Sequence, residues 1–231
     1  MLTDIDVVCL DIGGTVVQTP HGSFTRQLAE VLGCDFTEVR DHLQPFKARR
    51  SPVEQLAVSL AEAFGATHRK AELVELLGTL ADEARRPVVF DDAAPALSRL
   101  ADSGVRLAML SNVLGAVAPP GTSPVLGLDI AVFLSCDIGV AKPSPAAFER
   151  VANALRTPAS RILHVGDAYE TDVLAALHAG SQAVWLRRDP AVTHPAPEAP
   201  TIGDLRELPG LLGIGPMPPI HPASPREYGG N

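Results

Sequence analysis

The fold is decided by the stretch VVCLDIGGT at residues 7–15, in which four apolar residues lead into an aspartate and a pair of glycines. A short apolar run bounded by turn residues is typical of a buried strand, and the glycines predict a tight turn, with a positive φ expected at Gly13. This turn is expected to carry the side chain of Asp11 out of the strand end. A carboxylate in that position can act as a nucleophile.

Beyond residue 88 the chain alternates between apolar runs and helical patterns. Strands are predicted at residues 105–110, 131–135, 162–165 and 183–186, with helices at residues 92–103 and 145–155 between them. Strands that alternate with helices are typical of a parallel sheet that is covered on both faces. The sequence therefore predicts an α/β fold with a Rossmann-like parallel sheet core and helices on both faces.

Residues 16–88 carry helical patterns without strands between them. Asp35 and Glu38 have the spacing of a capping box, and Ser51-Pro52 predicts a cap followed by a first-turn proline. One helix has an apolar stripe, formed by Leu73, Leu76, Leu77 and Leu80. We predict a core of residues 1–15 and 89–212, with a short helix at 202–212, an inserted all-helical cap of residues 16–88, and a mobile proline-rich tail of residues 213–231.

Composition excludes several classes of partner. The chain has 231 residues, 46% of them hydrophobic, and a formal net charge of −8 without a long basic run, so we expect no nucleic-acid partner. No stretch approaches the roughly 20 apolar residues of a membrane span, and acidic Asp4 and Asp6 open the chain, so we expect no membrane partner and a cytoplasmic location. Three cysteines without metal-ligand spacing are expected to be reduced. The sequence leaves the oligomeric state open.

Polar residues follow the predicted strands. Asp11, the pair Ser111-Asn112, and Asp167 each come directly after an apolar run, and the ligand crevice of an open parallel sheet lies at the carboxyl ends of its strands. Asp172 follows five residues after Asp167, and Lys142 is one of only three lysines in the chain. Clustered carboxylates need a cation, and Mg²⁺ is the simplest candidate because it prefers hard oxygen ligands.

Together and in this order, the four motifs resemble those of the haloacid dehalogenase-like hydrolase superfamily, over roughly residues 4–212. The resemblance implies that Asp11 forms an aspartyl-phosphate, that Ser111 and Lys142 hold phosphoryl oxygens, and that Asn112 orders the loop. It also implies a Mg²⁺ site formed by Asp11, the backbone carbonyl of Gly13, Asp167 and Asp172. The implied substrate is a small phosphorylated metabolite, and the helical cap would close over the site and select it.

Gly13 departs from the phosphatase pattern of the superfamily, where a second aspartate protonates the leaving group and then activates water. Its absence predicts a metal site that is retained and acid–base catalysis that is reduced by about 10²–10⁴-fold. The enzyme would then act on acyl or aryl phosphates, which have good leaving groups, or take an acid from the cap or the substrate. The candidate cap donors are His21, His42 and Lys47.

Three other functions remain open. Phosphonoacetaldehyde hydrolases of the superfamily carry a small residue at the Gly13 position and use a cap lysine as a Schiff base; Lys47, with Arg49 and Arg50 as cationic neighbours, is the candidate here. Dehalogenases have an aromatic residue at that position and lack a metal, so the retained acids favour dehalogenation less. A weakly catalytic binding or regulatory protein is the third alternative, because a proline-rich stretch at residues 119–121 replaces the usual helix wall of the site.

Overall fold

A computed structural model describes residues 2, 4–18, 23–119, 126–194 and 198–215 of the chain. It contains one six-stranded, all-parallel sheet in the order β3-β2-β1-β4-β5-β6. The strands are β1 (Val7–Leu10), β2 (Arg106–Ser111), β3 (Ala131–Leu134), β4 (Ile162–Gly166), β5 (Gln182–Leu186) and β6 (Thr201–Ile202). This order confirms the predicted Rossmann-like α/β fold, and the direction of strand succession reverses between β1 and β4.

Helices cover both faces of the sheet. On one face α6 (Ala93–Asp102) packs Leu97 and Leu100 against alternate strand residues such as Leu10 and Val165. On the other, α8 (Pro145–Leu155) and α9 (Ala175–His178) pack against Cys9, Leu110 and Trp185. Every residue of β1 is buried, as expected for a central strand with covered faces.

The described residues of the inserted segment form five α-helices and one 3₁₀ turn at Thr67–Arg69. The α-helices are α1 (Phe24–Leu32), α2 (Phe36–His42), α3 (Gln44–Lys47), α4 (Val53–Ala63) and α5 (Lys70–Arg85). Their apolar faces form a separate hydrophobic cluster that includes the fully buried Leu73, Leu77 and Leu80 of the predicted stripe. We call residues 24–85 the cap. Val16 belongs instead to the cluster of the sheet.

Two predicted helix starts differ in detail. Asp35 caps α2 by accepting from the N–H of Thr37 (2.7 Å), but no reciprocal bond from Glu38 completes a capping box among the described residues. The prediction that Ser51 caps α4 was wrong, because Pro52 takes the extended N-cap conformation (φ −64°, ψ 150°) and the helix begins at Val53.

The helix predicted at residues 202–212 was wrong at its start. Thr201–Ile202 forms an edge strand beside Trp185 and Leu186, and helical turns occupy only Leu205–Glu207 and α10 (Leu208–Leu211). This short strand is defined by its pairing with β5, so the local sequence could not identify residues 201–202 as a strand. The predicted tail lies outside the described residues from residue 216 onward.

Short connecting elements complete the described fold, including α7 (Ser135–Ile138) and a π-helical segment at Tyr169–Leu174. No helix among the described residues is long and apolar enough to cross a bilayer.

Candidate active site

Two aspartates follow the two central strands. Asp11 comes directly after β1 and its N–H donates to Val165 O (2.8 Å) in β4, while Asp167 comes directly after β4. The strand order reverses between these two strands, and this is where open parallel sheets bind ligands. The predicted convergence of Asp11 and Asp167 is therefore observed.

Asp172 reaches the same place from the π-helical segment. A side chain at Gly166 would put its Cβ 2.4 Å from Asp172 Cβ, so only glycine permits this close approach. The N–H of Ala168 donates to Asp172 Oδ2 (3.1 Å). A π-helical turn is rare and is found often at functional sites, and here it holds a carboxylate that is 1% exposed.

Lys142 forms ion pairs with two of the aspartates. Its Nζ donates to Asp11 Oδ1 (2.7 Å) and to Asp172 Oδ1 (2.5 Å), and the residue is only 3% exposed. Asn112 fixes the backbone of this lysine, because its side chain donates to Lys142 O (2.7 Å) and accepts from Lys142 N (2.8 Å). The loop-ordering contact that the resemblance implied for Asn112 is thus present. Lys142 is a buried ion-pair partner and not a surface charge.

The buried charges shift one another's pKa values. Burial, together with the charges of Asp172 and Asp167, raises the pKa of Asp11 to about 7, although Lys142 opposes the shift. Burial also opposes ionisation of Asp172, but Lys142 and, to a smaller extent, His164 outweigh it and lower that pKa. Burial lowers the pKa of Lys142, yet its two carboxylate partners outweigh burial and raise it. Lys142 is therefore charged. Of its two carboxylate partners, Asp172 has its charge stabilised more than Asp11 does.

The glycine turn differs from expectation at one position. The positive φ (82°) belongs to Gly14 and not to Gly13, so the prediction for Gly13 was wrong. A Cβ at Gly14 would lie 2.3 Å from Asp167 Oδ2, so this glycine is required both by its φ and by the proximity of Asp167. The backbone carbonyl of Gly13 accepts no hydrogen bond from the described residues.

The acidic cluster fits a hard divalent cation. Asp11, Asp167 and Asp172 each offer a carboxylate oxygen within 4.8 Å of the others. Burial, followed by the charge of Asp172, raises the pKa of Asp167, whose contact within the described part of the chain is the hydroxyl of Thr15 (3.3 Å) and not a lysine or arginine. Three carboxylates beside one lysine leave an excess of negative charge, and oxygen donors of this kind suit Mg²⁺.

Ser111 ends the strand that pairs with β1, and His164 lies close to Asp172. Ser111 is the last residue of β2, in register with Leu134, and its half-buried hydroxyl forms no hydrogen bond with any described residue. His164 lies on β4 with Nε2 3.5 Å from Asp172 Oδ1 and its ring edge-on to Phe148. Burial lowers the pKa of His164, so the ring is neutral beside Lys142.

The candidate cap donors have different surroundings. His21 lies outside the described residues. His42 is held inside the cap, where Nε2 lies 2.9 Å from Ser59 Oγ and the ring packs against Phe46 and Phe64. Burial and the charge of Arg40 lower the pKa of Lys47.

The predicted cationic neighbours of Lys47, Arg49 and Arg50, have other partners. Arg50 forms a two-bond ion pair with Asp137 (2.6 and 2.9 Å) on α7, and Arg49 lies over the ring of Phe46. The prediction that Arg49 and Arg50 lower the pKa of Lys47 was therefore wrong. The charge that lowers it belongs to Arg40, one turn before α3, and local sequence could not show this.

The loop that follows Asn112 docks onto the cap. Gly115 N–H donates to Phe46 O (2.8 Å), and a Cβ at Gly115 would lie 1.9 Å from Arg49 O, so glycine permits direct backbone contact. Leu114 and Val117 are buried in the hydrophobic cluster of the cap. Residues 112–119 contain no helix, as predicted from the proline-rich stretch, of which residues 120–121 lie outside the described residues.

Sequence reasoning missed several residues of this region. His164 and Thr15 contact the acidic cluster, and the indole N–H of Trp185 donates to Asp167 O (3.0 Å). Arg188 was also missed, although it lies only two residues beyond the end of β5. The rule that polar residues after strands reach the crevice could have found Arg188. Buried His164 carried no such signal.

The comparison with protein families agrees with this geometry. A family model of haloacid dehalogenase-like hydrolases matches residues 5–180, which is more than half of the 231-residue chain. The chain therefore belongs to the haloacid dehalogenase-like hydrolase family, as the order of its motifs predicted. Membership implies hydrolase chemistry.

The individual relatives include both phosphatases and haloacid dehalogenases. The chain is 32% identical over 157 residues to a phosphoserine phosphatase of Thermus thermophilus, which covers 65% of this chain and 60% of that protein. It is 33% identical over 132 residues to (S)-2-haloacid dehalogenase 2 of a Pseudomonas species, covering 54% of this chain and 56% of that one. The matches thus span little more than half of these curated relatives.

A solved structure of a 2-haloacid dehalogenase from Pseudomonas syringae superposes with a TM-score of 0.61 at 24% identity, covering 90% of this chain and 98% of that chain. At this identity the likeness shows the fold alone. Phosphatase and dehalogenase relatives occur together, so similarity does not choose the substrate.

Proposed function

We propose that this protein is a Mg²⁺-dependent hydrolase of small phosphorylated metabolites that have good leaving groups, acting through an aspartyl-phosphate on Asp11. The observation that carries this proposal is the cluster of three carboxylate side chains whose oxygens lie within 4.8 Å of one another beside a single buried lysine. Such a cluster calls for a divalent cation, and a metal next to a nucleophilic carboxylate suits phosphoryl transfer.

Each residue of the site has a role in this proposal. Asp11 attacks phosphorus, forming the acyl phosphate and releasing the leaving group, and water then hydrolyses that intermediate. Lys142 neutralises Asp11 and offers its charge to the phosphoryl oxygens, with the free hydroxyl of Ser111 as a second donor. Asp11, Asp167 and the carbonyl of Gly13 would hold Mg²⁺, with Asp172 in support, and the bound ion would offset the charge of the phosphate.

Gly13 limits the substrates. No side chain at this position can protonate a departing alkoxide, so alkyl phosphates would react slowly. Acyl and aryl phosphates need little protonation, because their leaving groups are weak bases. His42 does not supply the missing acid in this scheme, since its imidazole is bonded to Ser59 within the cap.

Dehalogenation is the second candidate. A halide leaves without a proton, so Gly13 is no obstacle to it, and one curated relative is named as a haloacid dehalogenase. Attack of Asp11 on carbon would then form an ester instead of an acyl phosphate. The acidic cluster weighs against this candidate, because dehalogenases of the superfamily lack a metal and would leave the clustered carboxylates without the cation that they call for.

Carbon–phosphorus cleavage needs an amine for the Schiff base. Lys47 has a lowered pKa, which is the chemical property that such a lysine requires. This lysine lies on α3, and burial is the main cause of its shift. We rank this alternative below the phosphatase because it depends on one residue and the phosphatase on the whole cluster.

The test is an assay of the purified protein on acetyl phosphate, 4-nitrophenyl phosphate, alkyl phosphates, phosphonoacetaldehyde and (S)-2-chloropropionate, each with Mg²⁺ and with EDTA. We expect turnover of the first two only, and loss of it with EDTA. Asp11→Asn should be inactive, whereas Asp91→Asn, which changes an aspartate with a 90% exposed side chain, should be normal. Chloride release that persists in EDTA would favour the dehalogenase instead.

A binding test covers the weakly catalytic alternative. Mg²⁺ with beryllium fluoride, which stands in for the acyl phosphate, should raise the melting temperature of the wild type and not of Asp11→Asn. If there is neither turnover nor a shift, the phosphatase proposal fails.

A further inference from the structure

Arg188 makes an unusual set of contacts beside the nucleophile turn. It follows β5, and its guanidinium donates from Nε to Gly14 O (3.1 Å) and from Nη2 to Thr15 O (2.6 Å). The same group donates from Nη1 and Nη2 to the two carboxylate oxygens of Asp92 (2.9 and 3.0 Å). One side chain therefore binds the backbone of the turn that carries Asp11 and an anchor on a different segment.

The anchor is rigid. Asp92 is 1% exposed and also accepts from the N–H of Leu205 (2.8 Å). Burial opposes its ionisation, but the bonds from Arg188 and Leu205 outweigh burial and lower the pKa of Asp92, so it is charged. The guanidinium also lies over the ring of Phe90, with its central carbon 3.7 Å from the centroid. Planar stacking and a two-bond carboxylate pair fix the orientation of an arginine fork.

The carbonyls that Arg188 binds, those of Gly14 and Thr15, belong to the turn that follows the nucleophile Asp11. Gly14 has a positive φ (82°), and Thr15, which is fully buried, donates its hydroxyl to Asp167. The charges that most shift the pKa of Asp11 are Lys142, Asp172 and Asp167, so Arg188 acts through the backbone and not on the carboxylate directly.

We propose that Arg188 is a positioning residue for the hydrolase reaction: its guanidinium, anchored on Asp92 and Phe90, clamps the carbonyls of Gly14 and Thr15 and thereby holds Asp11 in line with Lys142 and Asp167. The kinetic part of this inference rests on the proposed function. The structural part, a clamped turn, does not. A displacement of about 1 Å of a catalytic group can lower a rate about 10²-fold.

Arg188→Lys is the informative variant. A lysine keeps the positive charge for Asp92, so the buried carboxylate is not left alone, but its compact ammonium cannot span two carbonyls and a carboxylate as the planar fork does. Arg188→Ala is a second variant, which removes both the positive charge beside Asp92 and the hydrogen bonds to the two carbonyls. Arg206→Ala is the matched control, because Arg206 pairs with the adjacent Asp91 at the surface (3.0 Å) and contacts neither carbonyl.

Hydrogen exchange of the turn tests the clamp without any activity. The N–H groups of Val16 and Val17 both donate to Ile12 O (2.9 and 2.8 Å), so their exchange rates report whether the turn stays closed. We expect exchange to become at least about tenfold faster in Arg188→Lys and to stay unchanged in Arg206→Ala. Unchanged exchange in a folded Arg188→Lys protein would overturn the inference, whatever the enzyme hydrolyses.

Kinetics and metal binding test the consequence. With acetyl phosphate, kcat of Arg188→Lys should fall about 10²-fold while KM and the melting temperature stay close to wild type. A mutation that only loosened the fold would lower the melting temperature without this separation of kcat from KM. A normal kcat in a variant with fast exchange would overturn the positioning role.

Mg²⁺ alone, titrated while Trp185 fluorescence is followed, gives a third measurement, because the indole of Trp185 bonds to Asp167 O. We expect weaker Mg²⁺ binding in Arg188→Lys. If the wild type hydrolyses no phosphate, the proposed function fails, and unchanged exchange would still overturn the inference. Fast exchange with a normal Mg²⁺ affinity would overturn the positioning role.

Discussion

Asp11→Asn should change how the stability of the protein depends on pH. In the folded protein without metal, burial and the neighbouring aspartates raise the pKa of Asp11 from its ordinary 3.8 to about 7. The folded state therefore keeps a proton on Asp11 between about pH 4 and pH 7, while the unfolded chain has lost it. In this range the folded state binds more protons, so the free energy of unfolding falls as pH rises and becomes level above pH 7.

The size of this effect follows from the pKa difference. One pKa unit corresponds to about 1.36 kcal/mol, so a difference of roughly three units corresponds to up to about 4 kcal/mol. About 3 kcal/mol of that lies between pH 5 and pH 8. Asparagine cannot ionise but can still accept from Lys142. Asp11→Asn should thus gain stability relative to wild type by about 3 kcal/mol from pH 5 to pH 8.

Urea unfolding in EDTA provides the measurement, followed by the fluorescence of Trp185, which is the only tryptophan and is 2% exposed. The lowered pKa of Asp172 affects both proteins, so the difference between their pH curves isolates Asp11. Saturating Mg²⁺ should stabilise the wild type more at pH 8 than at pH 5, because ligands bind metal in their ionised form. Parallel pH curves for the two proteins would refute the reasoning.

Three further substitutions test the site. Gly13→Asp should raise the rate on alkyl phosphates by up to ~10²-fold and flatten the dependence on leaving-group pKa, since Gly13 lacks a positive φ that would exclude a side chain; an equal or steeper dependence in a folded variant would contradict this. Lys142→Met leaves Asp11 and Asp172 buried without their cation and should lower the free energy of unfolding by about 3–5 kcal/mol at pH 8. A urea midpoint like that of wild type would mean that Lys142 contributes little to stability. Lys47→Ala should keep most phosphatase activity, and borohydride trapping with phosphonoacetaldehyde should label nothing; inactivation together with a trapped adduct would establish the Schiff-base alternative.

The sequence was informative where local pattern and sheet geometry agree. Asp11 and Asp167 follow apolar runs, and parallel strands present their carboxyl ends at one edge, so their convergence could be predicted. The helical insert was equally readable, since the stripe that includes Leu73 and Leu80 is a local pattern of one helix. Local pattern also misled at residues 201–202, because a two-residue edge strand depends on its partner strand.

The amino-acid sequence by itself determined the α/β class, the helical insert and most of the residues that meet at the strand ends, because hydrophobic period and strand-end position are local properties of a chain. Only the tertiary structure decided how these residues share charge. Lys142 lies between Asp11 and Asp172, Gly14 and not Gly13 takes the left-handed conformation, and Arg188 binds the nucleophile turn from 174 residues away. Ion pairs, pKa shifts and backbone clamps depend on distances between segments that are remote in sequence, and folding alone sets those distances.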